Sequence, residues 1–445
     1  MKKKLLIIAV VVMYALPAFP QSDSTAHTDL FDLSLEQLLN LDVVDKNFYL
    51  YGYINANFQK TFDAPSIGDG GETVKTSDPA EWTPVKNFHL YGQGNLSKNI
   101  SFLFNIAYDD QRLDVRNAWG NFMIREAFQI RVGKMYRKFG LYNEKLDQIP
   151  TFIGIEAPEM LDSDHLFLTR TTNAMIHGTF MNPKYEVSYA LMTDNGEGGP
   201  VKNLFPLGWD LRMKSYLHGL IIGTSGYTSS VSSTRARSNT ALGEGTPDGG
   251  VLPWMEGDRF TVAGVFIEKQ LGKFLVQSEY YTARHNAVRN AANTLRVVRE
   301  AGINPTQRSR FLGVNAEKTD DTLVEGDVVR DTKYTVQTWY LRVGYNLRTN
   351  IGQMVPYVFV DWMSHPEAIR NQAFGGDNEA GLADDGKFLK PSIGVVYRPV
   401  PSVAIKLDGS YHSQMFNGEK IMYPELRLDF SFAFSNNTIE KALNN

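Results

Sequence analysis

The chain has 445 residues, with 45 Lys and Arg against 49 Asp and Glu, a formal net charge of −4 and no cysteine. The absence of thiols excludes disulfide scaffolding, Cys-ligated zinc, haem attachment, thiol catalysis and a lipid anchor on an N-terminal Cys. The acidic balance argues against nucleic acid as a partner.

Residues 1–21 read as a secretory signal. Lys2, Lys3 and Lys4 form a basic start, and the apolar run from Leu5 to Leu16 is too short for a bilayer span. Cleavage is expected between Ala18 and Gln21. Loss of the three lysines leaves 42 basic residues facing 49 acidic ones, a net charge of about −7. Residues 22–46 form a separate segment. Within 29–45, Leu33, Leu35, Leu38, Leu39 and Leu41 lie near helical spacing, and Ser34 with Gln37 makes a capping box. A short amphipathic periplasmic helix, packed against the mouth of a larger β domain, is the expectation.

From Phe48 onward, large apolar residues alternate with polar or small ones. The last strand shows it plainly: Leu426, Leu428, Phe430, Phe432 and Phe434 face one way, while Glu425, Arg427, Asp429, Ser431 and Ala433 face the other. Sixteen candidate strands are read in this way, near 48–59, 86–96, 100–109, 115–124, 127–135, 174–181, 185–193, 209–217, 219–227, 259–268, 273–282, 334–346, 353–363, 387–397, 403–412 and 425–434. Beyond the signal no run of about 18 apolar residues exists, so no helix crosses a membrane. Only a closed barrel then can.

The connections alternate between long and short. Long ones occupy roughly 60–85, 136–173, 194–208, 228–258, 283–333, 364–386 and 413–424; only the 109–114 connection on that side is short. Short turns at one end and long loops at the other are the mark of outer-membrane barrels. The expected fold is therefore all-β: a transmembrane antiparallel β-barrel of about sixteen strands over 47–434, with a tail at 435–445. Pro356 and Pro391 interrupt candidate strands, where a bulge or a shifted register is expected.

A barrel of this size encloses a water-filled lumen. By parity the inward set includes Arg131, Arg212, Lys214, Arg342, Lys390, Arg398, Lys406 and Arg427 beside Glu186, Asp210, Glu279, Asp361, Asp408 and Asp429. The connection 136–173 is rich in apolar residues for a loop, among them Phe139, Phe152, Ile153, Met160 and Leu161, and these need a surface to pack on. Folded inward, it would constrict the pore. Arg131, Lys134, Arg137, Lys138, Arg170, Arg212, Lys214 and Arg342 are the candidate pore-lining residues, although six acids of the same loop leave ion preference open.

The segment Ser34-Leu35-Glu36-Gln37-Leu38-Leu39-Asn40, the first strand with Tyr51-Gly52-Tyr53, the block Asp114-Val115-Arg116-Asn117-Ala118-Trp119, and Ile130-Arg131-Val132-Gly133-Lys134 followed by Phe139-Gly140-Leu141 together resemble the phosphate-selective porin O and P family. The resemblance covers most of 48–434. It implies a trimeric sixteen-stranded porin, a third extracellular loop that narrows the pore, and an arginine-lined anion site. Such barrels usually end on an aromatic residue, the place Phe434 would take here, with 435–445 appended.

No Gly-x-Ser-x-Gly elbow, phosphate loop or His-Glu-x-x-His is present, and the eight histidines are scattered without ligand spacing. No enzyme and no cofactor are expected. The expected role is a passive outer-membrane channel for small hydrophilic solutes or anions, in contact with lipid and lipopolysaccharide. The alternative is a non-conducting adhesion or structural barrel. The arginines of 283–333, Arg284, Arg289, Arg296, Arg299, Arg308 and Arg310, would then bind a partner or lipopolysaccharide phosphates.

Overall fold

The computed structural model describes residues 48–436 apart from 68–72, 78–79, 110–111, 162–165, 167–168, 196–205, 232–251 and 377–382, together with Ser34, Leu35 and Leu39. The signal, most of the 29–45 helix and the end of the tail lie outside the described residues.

The alternating segments form one closed meander. Its strands are β1 (Phe48–Thr61), β2 (Glu81–Ser97), β3 (Ile100–Asp109), β4 (Arg112–Arg125) and β5 (Phe128–Tyr136). There follow β6 (Arg170–Met181), β7 (Tyr185–Asp194), β8 (Leu207–Ser215), β9 (Leu220–Val231), β10 (Met255–Leu271) and β11 (Phe274–Arg289). The last five are β12 (Asp331–Tyr345), β13 (Gly352–Ser364), β14 (Lys387–Arg398), β15 (Val403–Phe416) and β16 (Glu419–Ser435). Each pairs antiparallel with its sequence neighbour, and β1 pairs with β16 from Tyr51↔Ser435 to Thr61↔Glu425. The short strand Leu347–Thr349 continues β12 against β13. Closure leaves no sheet edge, the condition for a sheet that meets lipid.

Parity sorts the two faces. Phe122, Val132, Ile176, Leu191, Leu211, Val265, Ile393, Leu407 and Phe432 stand exposed on the outer wall. Asn55, Asn105, Asn121, Gln277, Glu279, Thr338, Asp361 and Asp429 are buried inside it. An oily exterior over a polar interior inverts a soluble core, as a barrel in hydrocarbon requires.

All sixteen strands lie where the alternation places them. Most run further toward the long-loop end than expected: β10 begins at Met255 and β11 continues to Arg289. Past the bilayer neither face need be apolar, so the ladder continues where the alternation fades. The expected long connection 413–424 is absent. β15 and β16 meet in a two-residue turn at Asn417-Gly418, with φ of 50° and 77°, the backbone of a tight hairpin for which Asn-Gly is the preferred pair. The 283–333 connection is also more ordered than a solvated loop. It carries α1 (Ala291–Glu300), capped by Asn290, and α2 (Pro305–Leu312), with an Asn304/Gln307 capping box.

Neither proline forces a shift of register. Pro356 lies opposite a gap in the β12 pairing, between Gly344↔Tyr357 and Leu347↔Met354, and the register is the same on both sides. Pro391 lies in the matching gap on the β15 side, between Leu389↔Ser413 and Ser392↔Ser410. Each imino acid sits where the ladder lapses, which is the cost of a missing N–H.

Candidate functional site: the loop-filled lumen

β5 is only nine residues long, whereas β10, β11 and β16 have 16 or 17. The chain therefore leaves the wall below the rim and turns inward. Arg137 N–H donates to the Thr169 carbonyl at 3.0 Å, closing the neck of the loop. Its guanidinium lies 2.6 Å from Asp194, donates to the Tyr227 hydroxyl at 2.9 Å and stacks on that ring. Gly140 makes the turn, with φ of 62°; a Cβ there would come within 2.0 Å of Glu279 Oε2. Glu279 accepts from the Leu141 N–H at 3.1 Å, from Tyr281 at 3.1 Å and from Tyr340 at 2.7 Å.

Beyond the turn the loop crosses to the β11–β16 wall. Its apolar residues Phe139, Tyr142, Phe152, Ile153, Met160 and Leu161 join one buried cluster with Tyr281, Tyr340, Val355, Tyr357 and Phe359 of that wall. Basic side chains clamp its backbone and acids. Arg342 donates to the Tyr142 hydroxyl and, at 2.9 Å, to the Glu156 carbonyl, with its guanidinium 4.2 Å from the centre of the Phe359 ring. Lys406 donates to the carbonyls of Ile149 at 2.5 Å and Gly154 at 3.0 Å. Arg398 donates to the Pro150 carbonyl; Lys390 lies 2.7 Å from Glu156, which also pairs with Arg427. Asp361 accepts the Glu159 N–H at 2.7 Å. Five bases that parity places in the lumen are thus engaged in holding the loop.

The opposite wall carries a second, more open basic set. Arg131 lies 4.2 Å from the centre of the Trp119 ring. Arg212 pairs with Asp210 at 2.8 Å, donates to the loop's Gly140 carbonyl at 3.3 Å and reaches Glu144 at 3.7 Å. Half-buried Lys138 sits among Glu144, Arg212, Asp210 and Arg131. Partial burial, more than the flanking cations, pushes its ammonium below the ordinary lysine range, against the pull of Glu144. Arg116, Lys134 and Arg170 converge on Asp114 at 3.9, 3.1 and 3.5 Å, and Arg170 also faces Asp147 at 3.8 Å.

Of the eight expected pore-lining residues, Arg131, Lys138 and Arg212 gather around Glu144, and Lys134 with Arg170 around Asp114. Arg137 and Arg342 are each only 1% exposed and belong to the loop's fastenings. Lys214 stands apart at the short-turn end of β8, beside Tyr216 and opposite Glu186. Arg116 and Glu144 belong with the open set, although parity does not single them out as lining residues. Arg116 sits in the Asp114 block of β4, at a register shift that alternation alone does not reveal. Several arginines of 283–333 are engaged within the long-loop end of the protein itself. Arg289 pairs with Glu367 at 2.7 Å, each side chain 1% exposed; Arg308 pairs with Asp320, and Arg299 caps the carbonyls of Asp320 and Leu323.

No family model matches this sequence, and no curated protein matches it either. Solved structures do. The anion-selective porin from Comamonas acidovorans matches with a TM-score of 0.50 at 8% identity, over 87% of this chain and 99% of that one. The outer membrane channel DcaP of Acinetobacter baumannii gives 0.48 at 11% identity over 87% and 97%, and Salmonella typhi OmpF gives 0.47 at 12% over 87% and 98%. The fold is a porin-type barrel. At such identities the likeness speaks to the fold alone; the first of the three carries it.

Proposed function

We propose that this chain is an outer-membrane diffusion channel for small hydrophilic solutes, with a mild preference for anions. The observation that carries the reading is the division of the lumen. One wall's bases are buried in fastening the inward loop, whereas Arg116, Arg131, Lys134, Lys138, Arg170 and Arg212 on the other side are only half-buried, and among the described residues they meet fewer acids: Asp114, Glu144, Asp147 and Asp210. Solutes would pass along that second wall, with the loop setting the size limit. The pairing of most of these bases argues for a bias and not for a dedicated phosphate site. The resemblance to phosphate-selective porins supports the anionic direction and a homotrimer. A secretory signal and a lipid-facing wall support the outer membrane and contact with lipopolysaccharide.

The test is the reversal potential of refolded mature protein in a planar bilayer under a KCl gradient. Anion preference without saturation by phosphate is the expected result. Cation preference would discard the anionic reading and keep the channel. Folded protein with no conductance would favour the structural or adhesion barrel.

A further inference from the structure

At the short-turn end, β1 turns Tyr49, Tyr51 and Tyr53 inward and β2 adds His89 and Tyr91. Tyr51 stacks on Tyr91 at 5.0 Å and Tyr53 on His89 at 4.8 Å. Aromatic faces bordering a wet lumen should be open to water, yet none of these five side chains exceeds 3% exposure. Leu103 of the neighbouring wall packs on the cluster, and among the described residues further cover comes from two places. Leu35, fully buried, and Leu39 pack on the tyrosines from the segment that precedes the barrel, and Ile149 packs on them from the tip of the inward loop.

The two covering pieces also touch each other. The Leu35 N–H donates to Gln148 Oε1 at 3.2 Å, and the Tyr91 hydroxyl donates to the Asp147 carbonyl at 2.7 Å. The Leu39 N–H donates to the Leu35 carbonyl at 3.1 Å. Both leucines, four residues apart, meet the same tyrosine cluster. The segment is covalently tethered to β1, so it samples the tyrosine box at an effective concentration in roughly the millimolar range.

We propose that the leucine segment ahead of the barrel is an internal plug. Leu35 docks in the box formed by Tyr49, Tyr51, Tyr53 and Tyr91, ties down the loop tip through Gln148, and narrows the short-turn end of the channel. The consequence for conduction rests on the channel reading above; the docking does not.

The chain has no cysteine, so Ala433→Cys, at the edge of the same box, introduces a single thiol. Its labelling by a charged, water-soluble maleimide is measured in the refolded mature chain, with and without Leu35→Asp, and conductance is recorded for both. Heat-dependent gel migration checks that each barrel is folded, and removal of residues 22–45 provides a second release of the plug. Labelling about tenfold faster with Leu35→Asp, equivalent to ~1.4 kcal/mol of docking, together with raised conductance, is the expected result. Equal labelling rates overturn the docking. Faster labelling with unchanged conductance overturns the plug. Slow labelling of the parent with no conductance in any variant overturns the channel reading instead, with the docking intact.

Discussion

Single residues set the path of the inward loop. Gly140 occupies a left-handed backbone position against Glu279, where a Cβ costs about 1–2 kcal/mol before any clash. Gly140→Ala is therefore expected to lower the temperature at which the refolded barrel loses its compact gel migration, and to raise the open-channel noise. Lys406 holds two loop carbonyls, and charge-assisted bonds of this kind contribute about 1.5–3 kcal/mol. Lys406→Met should free the stretch from Ile149 to Gly154. Single-channel records would then show frequent steps to larger conductance; a record as quiet as the parent's would mean that the apolar contacts alone hold the loop. Neither role is legible in the sequence. Alternation tells which way Lys406 points, but what it meets comes from a segment more than 250 residues away in sequence.

At the scale of elements, legibility tracks the solvent on the outer face. Lipid demands an apolar residue at every second position, so alternation marks both ends of β3, and places β7, β14 and β16 to within a few residues at the short-turn end. Where the strands rise clear of the membrane that demand lapses, and alternation underestimates their length. The helices of the 283–333 connection leave a signal that a run of arginines obscures: Leu295, Val297, Val298, Phe311 and Leu312 are buried, and Asn304-Pro305 with Gln307 is a capping box. These helices pack beside the buried Arg289–Glu367 pair. Removing one partner of such a pair typically costs about 3–5 kcal/mol, because the other charge is left buried alone. Glu367→Ala should loosen this cap while the barrel persists. Trypsin would then cut at Arg296, Arg299, Arg308 or Arg310 much faster than in the parent, with the gel migration of the barrel unchanged. Equal cutting would show that the cap is held by its apolar contacts.

For the whole molecule, the deciding property is which charges remain in water after the loop is seated. Parity yields the inward set, but not the division of that set into fastenings and free lining, because the division depends on which wall the loop's apolar residues cover. Arg212 belongs to the more open wall, with Asp210, Glu144 and the Gly140 carbonyl as its partners. Near 4 Å in water a unit charge contributes ~1 kcal/mol, about a fivefold factor in a permeability ratio. Arg212→Glu should therefore shift the reversal potential toward cations by at least that factor. Arg342→Met should leave the sign of selectivity unchanged, since Arg342 is buried under the loop. Screening gives the same argument a control. The Debye length falls from about 10 Å at 0.1 M to about 3 Å at 1 M, so anion preference should fade across that range if exposed lining charges produce it, and persist if a dry binding site does. Lys138 adds a pH limb. Its ammonium is held below the ordinary lysine range, so raising the pH removes one lining cation earlier than exposed lysines titrate, and anion preference should decline before pH reaches about 10.4. A preference that is flat to that point in the parent, and unaltered by Lys138→Met, would place the selecting charge on the arginines and Lys134.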